Sequence, residues 1–437
     1  MKCLPALLLF LTAALSPAQS KPQSSTPPKV TYVRCGTLYD GKSDTAQKNV
    51  TIRIVGDKID QLGEHLQPES GAAVIDLSRE VCLPGLIDAH THVLLQGDVT
   101  TEDYNVQILQ YSTPYRTILG TVAAQKALGY GFTTIRDLET EGAGYADVDI
   151  KKAINNGIIP GPRMQVAGRA MDVTGAYPVL GYSWELKWPH GVEEVDGVEG
   201  GRKAVREQIS NGVDWVKVYS DRSYRVRPDG VLDDIPTFTL AELQAIVDEA
   251  HRERHKVASH ASALNGVHNS VEAGVDSVEH GFYIADPDLK TMVAKGIYYV
   301  PTLLVGEYVA EGRSTEGSHV WLDMINIHAA TFKRALAAGV KIAFGTDAGG
   351  FPWTVNPARE FALMVKYGMT PAQALHAANM SAAELLGMQD KIGSLEPGKF
   401  ADIVAVAGDP MADIKQLENV NFVMKGGSVF KTMNSGQ

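Results

Sequence analysis

Two histidines spaced two apart, His90 and His92, close the run Asp88-Ala89-His90-Thr91-His92. On an extended strand such residues point to the same side, so both imidazoles can face one ion. A His-x-His pair alone is as readily a packed or surface pair as a ligand pair. Four other positions add weight. Lys217 lies inside the apolar run Asp214-Trp215-Val216-Lys217-Val218-Tyr219. An ammonium there is costly unless it is paired or chemically altered. His260 ends a run that begins at Lys256, His280 follows Glu279 at the end of another, and Asp347 follows Ala343-Phe344-Gly345-Thr346. Ligand-competent groups at so many strand ends are hard to produce by packing alone, and they predict a metal site.

These positions need a scaffold that gathers strand ends. Strand-like runs are expected at 85–92, 133–138, 163–168, 215–219, 256–260, 277–280, 298–303 and 341–347. Helix-period stretches lie between them, among them 117–128, 240–254, 263–273 and 325–338. Eight such β-α units predict an α/β fold, a (β/α)8 TIM barrel with its active site at the C-terminal strand ends. Both chain ends have a different texture. Short β-branched strands are expected at 31–38, 50–55 and 73–76, then at 401–406, 422–425 and 429–431, the last two joined by a Gly426-Gly427 turn. They predict a small β-sandwich-like domain built from both termini. The expected division is a signal peptide over 1–18, the N-terminal part of the β domain over 19–83, the barrel over 84–388, and the C-terminal part of the β domain over 389–437.

Composition narrows the class. The chain has 437 residues, 44% of them hydrophobic, enough for a large core. Its formal charge of −11 argues against a nucleic-acid binder, which needs a basic face for phosphates. Lys2 followed by the apolar stretch Leu4 to Leu15 and the small-residue site Ser16-Pro17-Ala18 reads as a signal peptide, with Gln19 as the mature start. Cys3 precedes that stretch and so is not a lipid-anchor cysteine. No later run is long enough to span a bilayer, so an exported protein, periplasmic or secreted and free of the membrane after cleavage, is expected. Export permits a disulfide between Cys35 and Cys82, although nothing in the sequence shows that they are close.

The run Leu83-Pro84-Gly85-Leu86-Ile87-Asp88-Ala89-His90-Thr91-His92 resembles the signature of the amidohydrolase superfamily. So do the strand-four lysine, the histidines closing strands five and six, Gly345-Thr346-Asp347, and the closing segment Gly393-Ser394-Leu395-Glu396-Pro397-Gly398-Lys399-Phe400-Ala401-Asp402-Ile403. The resemblance covers nearly all of the mature chain. It looks closest to a peptidase-like branch that includes Xaa-Pro dipeptidases, carboxypeptidase-like enzymes and ochratoxin-hydrolysing amidohydrolases. It implies two divalent metal ions. His90, His92 and Asp347 would hold one, His260 and His280 the other, and Lys217 would bridge them as a carbamate formed with carbon dioxide. Imidazole and carboxylate ligands suit zinc, and also manganese, iron or cobalt. A hydroxide bridging the ions would attack, and Asp347 would move its proton to the leaving nitrogen.

The loops are expected to set the substrate. Tyr219, Tyr224, Arg222, Arg225 and Arg227 lie at or after strand four, and Tyr177, Tyr182, Trp184 and Trp188 follow strand three. Tyr104, Tyr111 and Tyr115 follow strand one. An arginine among them could grip a carboxylate bidentately. Where relatives carry Gly-Gly-His in the strand-three loop, this chain has Thr174-Gly175-Ala176-Tyr177, which removes a substrate-binding histidine. His251-Arg252-Glu253-Arg254-His255 lacks the His-Glu-x-x-His order and is read as the end of a helix. The expected reaction is hydrolysis of an amide in a small-molecule dipeptide or N-acyl amino acid, by a homo-oligomeric enzyme. The alternatives are a hydrolase of cyclic amides or lactones, and a non-catalytic exported solute- or metal-binding protein.

Overall fold

The computed structural model describes residues 29–97, 104–177, 183, 185–315 and 317–432. The expected signal peptide and the aromatic candidates Tyr182 and Trp184 lie outside them.

In chain order the strands are β1 (Val30–Leu38), β2 (Gln47–Val55), β3 (Lys58–Gly63), β4 (Ala73–Pro84), β5 (Leu86–Thr91), β6 (Phe132–Asp137), β7 (Arg163–Val166), β8 (Met171–Asp172) and β9 (Glu193–Glu194). Then come β10 (Trp215–Tyr219), β11 (Asp221–Val226), β12 (Leu232–Pro236), β13 (Lys256–Ala261), β14 (Ser277–His280), β15 (Tyr298–Val300), β16 (Ile403–Val406), β17 (Phe422–Lys425) and β18 (Ser428–Lys431).

Strands from both chain ends form one seven-stranded sheet, in the order β18-β17-β16-β4-β1-β2-β3. Its inner face packs Val33, Ile52, Ile54, Leu77, Ile403 and Met424 into a core of its own. Cys35 and Cys82 are joined as a disulfide that ties β1 to β4, with their Cα atoms 5.9 Å apart. Gly426 and Gly427 both have positive φ, as the two-residue hairpin between β17 and β18 requires. β4 runs from this sheet to Pro84, and β5 starts at Leu86, so the small domain feeds the barrel without a linker.

Barrel strands β5, β6, β10 and β14 are runs buried from end to end, the mark of parallel strands covered on both faces. β5, β6 and β7 pair in parallel, as do β10, β13, β14 and β15. Between β7 and β10, the Asp214 amide donates to the Val166 carbonyl at 2.8 Å. The eighth element is residues 341–348. It meets β15 through an isolated Tyr299–Ile342 bridge and β5 through Thr91–Ala348, with the Ala89 amide donating to Phe344 at 2.9 Å. This is the α/β, (β/α)8 architecture with its helices outside. Local signals start and stop those helices. Thr239 and Glu242 form a capping box on Leu240–Arg252, and Gly339, with φ 79°, ends Val320–Ala338. No helix among the described residues is long and apolar enough to cross a membrane.

Candidate metal centre and substrate cavity

The pleat of β5 turns His90 and His92 to one side, and their Nε2 atoms lie 3.3 Å apart. Asp347 Oδ1 stands 3.0 Å from His92 Nε2 and 3.7 Å from His90 Nε2. Residues 345–349 must pass very close to β15 and to the end of β5 to place it there. A Cβ on Gly345 would collide with the Val300 side chain, and one on Gly349 with the His92 carbonyl oxygen. Asp88 fastens the two elements, accepting from the His90 amide at 3.1 Å and from the Thr346 hydroxyl at 2.6 Å.

The His280 ring lies 4.9 Å from His90 and 4.5 Å from His260, centroid to centroid. His280 Nδ1 meets the Thr302 hydroxyl at 2.8 Å, which leaves Nε2 for the centre. Lys217 on β10 is 0% exposed, and its Nζ has no hydrogen-bond partner among the described residues. Burial holds His90, His260 and His280 well below the ordinary histidine range; the Lys217 ammonium adds to this at His90 and His260. They are therefore neutral imidazoles, the form a metal takes. Burial pulls His92 down too, but the Asp347 carboxylate outweighs it and the pKa ends raised.

Behind the histidines lies a buried charged relay. Glu279 Oε2 contacts His90 Nδ1 at 2.8 Å, and Oε1 takes Arg136 at 2.9 Å and the Ser277 hydroxyl. Arg136 is fully buried and stacks over Trp215, 4.3 Å from the ring centroid. A carboxylate on the far nitrogen of a ligand histidine fixes its tautomer and aim.

A cavity of about 340 Å³ opens above these groups, lined by His92, Lys217, His260, His280 and Asp347. Two walls flank His260. On one, the Tyr219 ring lies 4.6 Å from His260, Tyr177 lies 5.0 Å from Tyr219, and Tyr104 lies 5.9 Å from Tyr177. On the other, the Tyr224 hydroxyl contacts His260 Nε2 at 2.9 Å and donates to Asp221 at 2.9 Å. The Tyr224 ring lies 6.0 Å from Trp321, over which the Arg313 guanidinium sits at 4.0 Å.

The structure thus brings together His90, His92, Lys217, His260, His280 and Asp347, and puts Tyr177, Tyr219, Tyr224 and Arg222 on the cavity surface. It turns Arg225 and Arg227 away. They are exposed and paired, Arg225 with Asp233 across the β11–β12 hairpin at 2.6 Å and Arg227 with Asp229 in its turn at 3.0 Å. Tyr111 and Tyr115 meet edge to face at 5.0 Å and do not line the cavity. His251 pairs with Asp276 at 2.8 Å, as a helix-end histidine.

Several groups went unread in the sequence. Glu139 and Glu141 follow β6, and an oxygen of each lies within 4.8 Å of a His92 nitrogen and of the other. Burial and the neighbouring Glu141 carboxyl push Glu139 well above the usual carboxylate range. Arg313 arrives from the helix Leu303–Thr315. Backbone strain marks the same rim. Glu141, Ser223, His280, Thr302 and Asp347 all hold φ between 49° and 68°, a region that costs a non-glycine residue about 1 kcal/mol or more.

The barrel and the residues gathered at its strand ends fit a hydrolase. A model of the Amidohydrolase family matches residues 81–437, and the chain belongs to that family. Ochratoxinase of Aspergillus niger is 31% identical, the alignment covering 92% of this chain and 87% of that protein. A solved Xaa-Pro dipeptidase with methionine bound in its active site is 34% identical with a TM-score of 0.82, covering 92% of this chain and 100% of that one. A prolidase solved with N-methylphosphonate-L-proline is 26% identical with the same TM-score and the same coverage.

Proposed function

We propose that this protein is an exported, binuclear metal-dependent amidohydrolase that cleaves the amide bond of a dipeptide or N-acyl amino acid. One observation carries the reading: His92, His260, His280 and Asp347 line one cavity with Lys217, a fully buried amine with no hydrogen-bond acceptor among the described residues. A bare ammonium there is a large unpaid desolvation, and a lysine carbamate between two cations removes it. The donor set fits. His90, His92 and Asp347 would hold one ion, His260 and His280 the other, with carboxylated Lys217 shared. Imidazole and carboxylate donors suit zinc. When bound, the ions polarise the scissile carbonyl and acidify water.

The chain's own groups do the rest. Asp347, at the cavity edge with its side chain 16% exposed, accepts the proton of the attacking water and delivers it to the leaving nitrogen, which departs poorly unless protonated. Glu279 and Thr302 keep His90 and His280 aimed. Arg222 and Arg313, the arginines that line the cavity, offer the leaving residue's carboxylate a charge-assisted partner. The ligands of the two dipeptidase-like neighbours support this, since methionine and the proline phosphonate each carry a carboxylate beside the amine-derived nitrogen. The Cys35–Cys82 disulfide supports an oxidising, extracytoplasmic compartment.

The test is a matched pair of substrates, free acid and C-terminal amide, assayed by release of the C-terminal residue. The amide is expected to react about 10²-fold more slowly in kcat/KM, since each ~1.4 kcal/mol is tenfold. Equal rates would discard the carboxylate grip and favour a neutral amide substrate.

A further inference from the structure

We propose that Glu139 and Glu141 form a subsite for an ammonium group on the acyl side of the scissile amide, so that the preferred substrates are dipeptides with a free amino terminus. The proposal rests on the amide-hydrolase reading and deepens it. Glu141 lines the cavity and is 3% exposed; Glu139 stands behind it at 0%. Neither carboxyl forms an ion pair with a lysine or arginine among the described residues. Arg116 turns its two terminal nitrogens to the backbone carbonyls of Leu94, Thr140 and Glu141, and Arg136 is taken up by Ala89, Ser277 and Glu279. Glu139 Oε1 is buried with no hydrogen-bond partner among the described residues, so a carboxyl oxygen is left over where the rest is packed. What is present holds the carboxyls in place. The Tyr219 hydroxyl donates to Glu139 Oε2, and the Tyr104 hydroxyl donates to Glu141 Oε2 at 2.7 Å.

The surroundings select the ligand's chemistry. Tyr104, Tyr177 and Tyr219 form a chain of rings beside the two carboxyls, and aromatic faces with acids suit a cation that donates several N–H bonds. The site lies on the Tyr219 side of His260, whereas Arg313 and Trp321 lie on the Tyr224 side. A dipeptide laid across the centre therefore has its ammonium toward Glu141 and its carboxylate toward Arg313. An N-acyl amino acid matches only one of the two walls.

The experiment uses the metal-loaded full-length enzyme and pairs such as leucyl-phenylalanine and its des-amino analogue, in which hydrogen replaces the α-ammonium. Wild type is expected to favour the ammonium-bearing member by about 10²-fold in kcat/KM, and Glu141→Gln to bring that preference within about threefold. Should the variant fail to fold, the wild-type pH profile still decides. KM for the dipeptide is expected to climb as its amino group deprotonates near ~8, with no such climb for the analogue. Equal wild-type rates on the pair would overturn the proposal. So would a Glu141→Gln loss equal on both members, which marks a structural role, or a third divalent ion per chain that Glu141→Gln removes. Failure of every pair, free acid included, would instead overturn the amide-hydrolase reading beneath it.

Discussion

Glu279→Gln is nearly isosteric, yet it should disturb both the metal affinity and the fold. In the wild type one carboxylate oxygen faces His90 Nδ1 at 2.8 Å and the other faces Arg136 at 2.9 Å, with all three side chains 0% exposed. A glutamine has one acceptor and one donor end. If its oxygen stays on Arg136, its NH2 faces His90 Nδ1 and makes that nitrogen an acceptor. The ring proton must then sit on Nε2, the atom 3.3 Å from His92 Nε2 that a metal needs bare. Loss of such an orienting partner costs roughly 10- to 100-fold in metal affinity. Arg136 also loses its counter-charge in the interior, and breaking a buried pair by removing one partner costs about 3–5 kcal/mol. Chelator-competition titration reads the first effect, and urea unfolding of the metal-free protein reads the second. Affinity within twofold of wild type and a stability loss below about 1 kcal/mol would refute the relay, since a buried guanidinium without its counter-charge cannot be that inexpensive.

Asp347→Asn keeps a ligating oxygen but cannot accept a proton; kcat is expected to fall by at least ~10², with a smaller loss of bound metal, and an unchanged kcat would move the proton transfer elsewhere. Lys217→Ala should lose metal and activity together, with part of both restored by a short carboxylate such as propionate; full metal and activity in the variant would remove the carbamate. Glu249 is held at about 2 by hydrogen bonding to Arg206, with Arg252 and Arg202 adding to it, so its contribution to stability is complete above pH ~4.5 and is lost as pH falls toward 2. Because Arg206 and Arg252 are more than half exposed, screening reduces the contribution to about 1–2 kcal/mol, and Glu249→Gln should show that loss in urea melts at pH 7 and none near pH 2.

The barrel was legible because its strands are buried on both faces and so read as short apolar runs, each ending in a polar group. Lys217 stood out for the same reason: a cation amid such a run needs a cause. The ends of the later elements were less legible. Strand seven was expected over 298–303 but stops at Val300, since Pro301 has no N–H and Thr302 turns to positive φ. Element eight makes only isolated bridges, because its backbone turns to positive φ at Asp347 to deliver the carboxylate. β3 is polar and half-exposed, and nothing in its pattern announced a strand. Glu139 and Glu141 sit beyond the end of β6, where alternation no longer says which way a side chain points. Arg313 was missed and Arg225 and Arg227 overvalued for one reason. A hairpin's cross-strand partners and a distant helix's approach are tertiary facts, and spacing along the chain does not carry them.

Metal stoichiometry tied to turnover tests the central claim most directly. Purified protein is assayed for divalent metal per chain, stripped with a chelator, and reloaded, with dipeptide hydrolysis followed at each stage. About two ions per chain are expected from the six-residue ligand set, with activity lost on stripping and regained on reloading. Full hydrolysis by metal-free protein, or full activity with a single ion per chain, would contradict the binuclear centre.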